Sequence, residues 1–168
     1  MATCKDEQEI PRRQGGVLVA AALGHERSII QSGGDLDEMG SFNYVTMEAQ
    51  EGHKLTIILV YRPCTGNADA SGGTIWKQQW ARAQKREMRQ GYDPQTAVVR
   101  DLWNFLETRR DHDIIIGGYF NGAPMEGEVD KEGTVAWLMG EFGLMDAYAE
   151  LNDDPSPSNY RHGTRRID

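Results

Sequence analysis

Cysteine is scarce: Cys4 and Cys64 are the only two in 168 residues, and no Cys-x-x-Cys spacing occurs. Neither a disulfide framework nor a zinc site is therefore expected, and a reduced intracellular setting fits. An excess of positive charge is also missing. The formal net charge is −8. An acidic total does not favour non-specific binding to nucleic acid, although a local basic face can act alone. Long apolar runs are absent as well. The most apolar stretch, VLVAAAL at 17–23, is too short to cross a bilayer. The start, MATCKDEQEIPRRQGG, lacks the apolar centre of a signal peptide. No membrane partner is expected, and the expected location is cytoplasmic or nuclear. No internal repeat and no low-complexity tract is found.

Hydrophobic residues make up 39% of the chain and charged residues 26%, which suits one globular domain. Residues 1–15 are expected to be a disordered lead-in, with the domain over 16–168. GGVLVAAAL (15–23) reads as a buried strand, and SGGDLDEMG (32–40) as a glycine and acid loop. FNYVTMEA (42–49) alternates aromatic and polar residues, and KLTIILVY (54–61) is a β-branched run suited to a central strand. The short turn at 51–53 makes these two an antiparallel hairpin. Pro63 ends the second strand.

Residues 64–73 read as a loop and 74–90, TIWKQQWARAQKREMRQ, as a helix. Asp93 and Pro94 open another helix, with Val98, Leu102, Phe105 and Leu106 at helical spacing. DIIIGGYF (113–120) returns to the sheet. Thr134 is placed to cap a helix over Val135, Leu138, Met139 and Phe142, closed by Gly143. LMDAYAEL (144–151) fits either helix or strand. Residues 152–158 read as a Pro-rich loop, and SNYRHGTRRID as two strand fragments around Gly163. Mixed strands and helices with one hairpin give an α/β layered domain.

Three strand ends attract chemistry: Tyr61-Arg62-Pro63, Gly118-Tyr119-Phe120-Asn121 and Arg166-Ile167-Asp168. As neighbours they would offer phenols, an amide, a carboxylate and a guanidinium at one edge. Such groups suit a phosphoester: donors for phosphoryl oxygens, an amide to place a nucleophile, a carboxylate to orient a base or metal. The same residues are also ordinary turn residues. Lys77, Arg82, Lys85, Arg86 and Arg89, interleaved with Trp76 and Trp80, suit a nucleic-acid backbone. They equally suit a solvated helix face with the indoles packed inward. His53 and His112 read as surface turn residues, and Glu126, Glu128 and Asp130 as a solvated acidic loop. His162 is close to Asp168 in sequence but is not expected to supply a catalytic histidine.

The ordered set Val60-Tyr61-Arg62-Pro63, a tryptophan-bearing helix, Asp93-Pro94, Ile114-Ile115-Ile116-Gly117-Gly118-x-Phe120-Asn121, Gly143-Leu144-x-Asp146-Ala147 and Pro157-x-x-Tyr160-x-x-Gly163-x-x-x-Ile167-Asp168 resembles the endonuclease/exonuclease/phosphatase superfamily. The resemblance spans about residues 15–168 and is nearest in look to endonuclease domains of non-LTR retrotransposons. It implies a two-sheet α/β sandwich flanked by helices, and magnesium-dependent cleavage of phosphoesters in DNA or RNA. It implies that Tyr61 contacts the phosphate, that Asn121 positions the attacking water and that Asp168 orients a catalytic histidine. Arg62 would help hold the nucleic acid, and Asp146 would be structural.

Departures from the family pattern are specific. Tyr119 stands where the Gly-Asp-x-Asn motif has its aspartate. A phenol is a neutral group and a poor magnesium ligand. Asn159 stands where relatives often have threonine. No match to the metal-binding glutamate is found upstream, and the Ser-Asp-His strand would lie beyond Asp168. The chain therefore reads as a domain incomplete at both ends and catalytically impaired. A non-catalytic remnant that binds nucleic acid or protein is the alternative.

Overall fold

The computed structural model describes residues 17–21, 24–35, 40–63, 76, 80, 93–121 and 131–152. Within them the fold is mixed α/β, built on a four-stranded sheet in the order β1-β2-β3-β4. These strands are β1 (Ile29–Gly34), β2 (Phe42–Glu48), β3 (Lys54–Tyr61) and β4 (Asp113–Tyr119). The helices are α1 (Pro94–Glu107), α2 (Val135–Phe142) and α3 (Ala147–Asn152).

Local signals account for most of these elements. β2 and β3 form the expected antiparallel hairpin, with Phe42 opposite Val60 and Glu48 opposite Lys54. Asp93 caps α1: its Oδ1 accepts from the N–H groups of Gln95 and Thr96 at 2.8 and 3.0 Å. Such a cap contributes about 1 kcal/mol. Thr134 caps α2 through the N–H of Trp137, and Gly143 closes it in a left-handed conformation. LMDAYAEL, ambiguous in sequence, resolves as α3. Asp146 Oδ1 accepts from the N–H groups of Tyr148 and Ala149, the structural role expected of it.

α1 carries the chain from β3 to β4, so these two strands run parallel, with Tyr61 opposite Tyr119. Residues paired across a sheet share a face. The inner face presents Phe42, Tyr44, Ile58 and Val60 to α1 and α2, where Val98, Leu102, Leu106, Val135 and Leu138 complete the core. Each fully buried Leu or Ile there contributes roughly 1.5–3 kcal/mol. The outer face carries Val45, Leu55, Ile57, Leu59 and Ile115. Ile115 is 53% exposed.

Three expectations are corrected. Residues 17–21 form no strand, and Leu18 is 78% exposed. The Val17 carbonyl ties this segment to the sheet by accepting from Asn43 Nδ2. The first strand comes later, at Ile29–Gly34, running into the stretch read as a glycine loop. It lies at the sheet edge with little burial, so alternating apolar residues do not mark it. His112 is not a surface residue: its side chain is 9% exposed and Nδ1 lies 2.8 Å from Thr56 Oγ1. Residues 1–15, most of the stretch 74–90 expected to be helical, residues 126–130 expected to be an acidic loop, and the segment 153–168 lie outside the described residues. No helix among the described residues is long and apolar enough to cross a membrane.

Candidate active site

The parallel pairing of β3 and β4 brings two of the three expected strand ends together. Tyr61 and Tyr119 are register partners, so both phenols leave the sheet on its outer face. Tyr119 is 55% exposed and Tyr61 is half-buried. The backbone continues the pairing past the strands, with the Arg62 N–H donating to the Tyr119 carbonyl at 2.7 Å. Asn121 then turns back, its Nδ2 donating to the Arg62 carbonyl. Asn121 has a φ of 50°, a left-handed conformation that asparagine tolerates better than most residues.

A glycine makes this close approach possible. Gly118 has a φ of +127°, and a Cβ there would meet the Val60 carbonyl oxygen at 2.1 Å. Any side chain would push β4 away from β3 just before Tyr119. The second glycine of the GGYFN stretch is thus fixed by geometry.

Arg62 points to the other side, toward the start of α1. Its Nη1 donates to the Phe120 carbonyl at 3.1 Å and its Nη2 to Gln95 Oε1 at 3.3 Å. Gln95 Nε2 in turn donates to the Pro63 carbonyl at 2.8 Å. Arg62 Nε is buried and has no partner among the described residues. Burial holds the guanidinium below the ordinary arginine value, while the nearby Asp93 carboxylate pushes it back up. Arginine stays charged regardless, so a buried cation sits behind the two phenols. Its contacts fasten the turn after β3 to the turn after β4 and to α1. Asp93 was legible as a cap; nothing in the sequence marked Gln95 as its companion.

The edge therefore assembles Tyr61, Arg62, Tyr119 and Asn121. Asp168, Lys77, Arg82, Lys85 and Arg86 lie outside the described residues. Trp76 and Trp80 are described: their rings stack at 6.2 Å and 26°, and Trp80 is 41% exposed.

Magnesium, which the family resemblance implies, prefers carboxylate and water oxygens. The described residues at this edge supply two phenols, an amide tied to Arg62 and a guanidinium. The carboxylate that acts on Arg62, Asp93, is already committed: Oδ1 takes two N–H groups and Oδ2 accepts the Thr96 hydroxyl at 2.9 Å. These donors do not fit a magnesium ion. The same groups can donate hydrogen bonds and positive potential to a phosphoryl oxygen.

No protein-family model matches the chain. No curated protein and no solved structure matches it either.

Proposed function

We propose that the chain carries a phosphoester-hydrolase domain of the endonuclease/exonuclease/phosphatase type, of retroelement endonuclease character, with an impaired site. The observation that carries this reading is the meeting of Tyr61, Tyr119 and Asn121 at one edge. Those are the positions at which the family resemblance puts the phosphate contact, the lost acid and the water-positioning amide. The apolar outer face of the sheet supports the fold side of the proposal. Leu55, Ile57, Leu59 and Ile115 suit burial beneath a second sheet, as in a sandwich.

In this reading Tyr61 donates its hydroxyl to a phosphoryl oxygen of DNA or RNA. The Arg62 cation raises the potential at that end of the sheet. Tyr119 replaces the acid that would bind or orient a metal-bound water. Members of a catalytic unit act together, so losing one removes most of the rate.

Supercoiled-plasmid nicking with magnesium tests this, with EDTA and Asn121→Ala as controls. The expected result is no nicking by folded protein. Nicking that requires both magnesium and Asn121 would show that the site works without its acid. A second reading, a non-catalytic binder of nucleic acid, is favoured by the stacked Trp76–Trp80 pair with its exposed indole. Retention of single-stranded DNA by the native chain, lost in Trp80→Ala, would select it.

A further inference from the structure

Rings elsewhere in the fold cover one another. Phe42 and Tyr44 pack on Phe105, and Trp103 stacks on Trp137. Among the described residues no ring packs on Tyr119, which is 55% exposed. Its backbone is nevertheless fixed from two sides. The Tyr119 carbonyl accepts from the Arg62 N–H at 2.7 Å. Gly118, just before it, approaches the Val60 backbone too closely to carry a side chain. A ring anchored in this way loses little further freedom when a ligand packs on it.

The surroundings of the ring on the outer face are low. Side chains alternate along a strand, so the next residue back on the Tyr119 side of β4 is Gly117, which has none. Leu59, the register partner of Gly117, supplies an apolar floor: its Cδ2 lies 3.6 Å from where a Gly117 Cβ would stand. Among the described residues β4 pairs with β3 alone, so no strand stands on its far side. A flat group has room to lie against the Tyr119 ring.

Resting on the phosphoester reading of this edge, we propose that Tyr119 is a stacking platform for an unpaired nucleobase, so that the edge takes single-stranded nucleic acid in preference to duplex. Tyr61, which that reading gives to the phosphate, is the register partner of Tyr119, and adjacent strands lie about 4.8 Å apart. A single nucleotide bridges such a step between its phosphate and its base. In a duplex each base is covered by its neighbours, so only an unstacked base reaches the ring. The formal net charge of −8 gives the chain little non-specific attraction for phosphates, so stacking carries a large share of the binding. Tyr119, which stands where the family resemblance puts an acid, thus has a binding role of its own.

Fluorescence anisotropy on the full chain tests this with three labelled probes: an oligothymidylate of about 12 nucleotides, an abasic strand of the same length and a duplex of the same length. The oligothymidylate should bind more tightly than the duplex. Tyr119→Ala should weaken oligothymidylate binding by about 5- to 150-fold and leave the abasic strand unchanged, while Tyr119→Phe, which keeps the ring, should bind like the native chain. Equal affinity of Tyr119→Ala and the native chain for the oligothymidylate would overturn the proposal. So would a loss in Tyr119→Phe as large as in Tyr119→Ala, an equal loss on the abasic strand, or a duplex that binds as tightly as the single strand. A loss in Trp80→Ala with none in Tyr119→Ala would place the base on the Trp76–Trp80 pair and overturn it too. The abasic strand separates this result from the phosphoester reading. If that strand binds the native chain and is weakened by Tyr61→Phe, the phosphate contact stands even where Tyr119→Ala changes nothing. If no probe binds, both fall. Should Tyr119→Ala disturb the amide spectrum of β4, Tyr119→Leu keeps the bulk without the ring and carries the same expected loss.

Discussion

The two ends of the β3–β4 pair are built on opposite terms. Where β4 begins, polar groups close on one another inside the core. Thr46 Oγ1 lies 2.9 Å from Thr56 Oγ1, which lies 2.8 Å from His112 Nδ1, and both threonines are buried. Where β4 finishes, the phenols of Tyr61 and Tyr119 leave on the outer face, and Arg62 keeps a buried Nε without a described partner. The same two strands thus carry a sealed end and an outward-facing end. The buried polar groups at the first end pair among themselves, as burial requires, whereas the proposed site lies at the end where Tyr119 is exposed.

Breaking the approach between the strands should have the largest effect. Gly118→Ala puts a Cβ on the Val60 carbonyl at a positive φ and should cost about 3 kcal/mol or more, read from the urea midpoint. An unmoved midpoint would mean that β4 does not sit this close to β3.

Next comes the sealed end. Thr56→Val leaves the Thr46 hydroxyl and the His112 ring without their shared partner and should cost about 1–3 kcal/mol. If stability is unchanged, the closed chain of hydroxyls is not what holds this end.

At the other end, Asp93→Ala removes the cap of α1 and the carboxylate that acts on Arg62. A loss of about 1–2 kcal/mol is expected in the same titration. Asn121→Gly keeps the left-handed backbone and removes the amide bond to Arg62, for about 0.5–1.5 kcal/mol. A larger loss from Asn121→Gly than from Thr56→Val would reverse the comparison, making the outward-facing end the structural one.

The smallest effect lies at the surface beside the sealed end. The hydrogen bond from Arg110, helped by its charge, holds the Glu107 carboxyl below its ordinary value. The stabilisation is present above the ordinary glutamate range and is lost as pH falls through the depressed value. Glu107→Gln should slightly flatten the acid side of a Tm-versus-pH curve. An identical curve would mean the pair contributes nothing.

The elements legible in the sequence were those set by neighbouring residues. Asp93-Pro94, Thr134 and Gly143 mark helix ends because capping acts over three or four residues. The β2–β3 hairpin was readable from its alternation and short turn. β1 was missed because an edge strand with two terminal glycines buries little and shows no apolar period. VLVAAAL misled because apolar composition carries no partner with it. Tyr61, Arg62, Tyr119 and Asn121 could all be named from their motifs in the same way, but the bonds from Arg62 to Phe120 and Gln95, and the pull of Asp93 on it, arise only when distant segments meet. The inward turn of His112 has the same origin.

The most direct test of the central claim, that Tyr119 has replaced the metal-binding acid, is a magnesium titration of the native chain followed by amide chemical shifts. The account predicts no saturable shift at Tyr61, Arg62, Tyr119, Phe120 or Asn121. Saturable shifts confined to those amides, abolished by EDTA, would contradict it and show that the edge holds a metal without its acid.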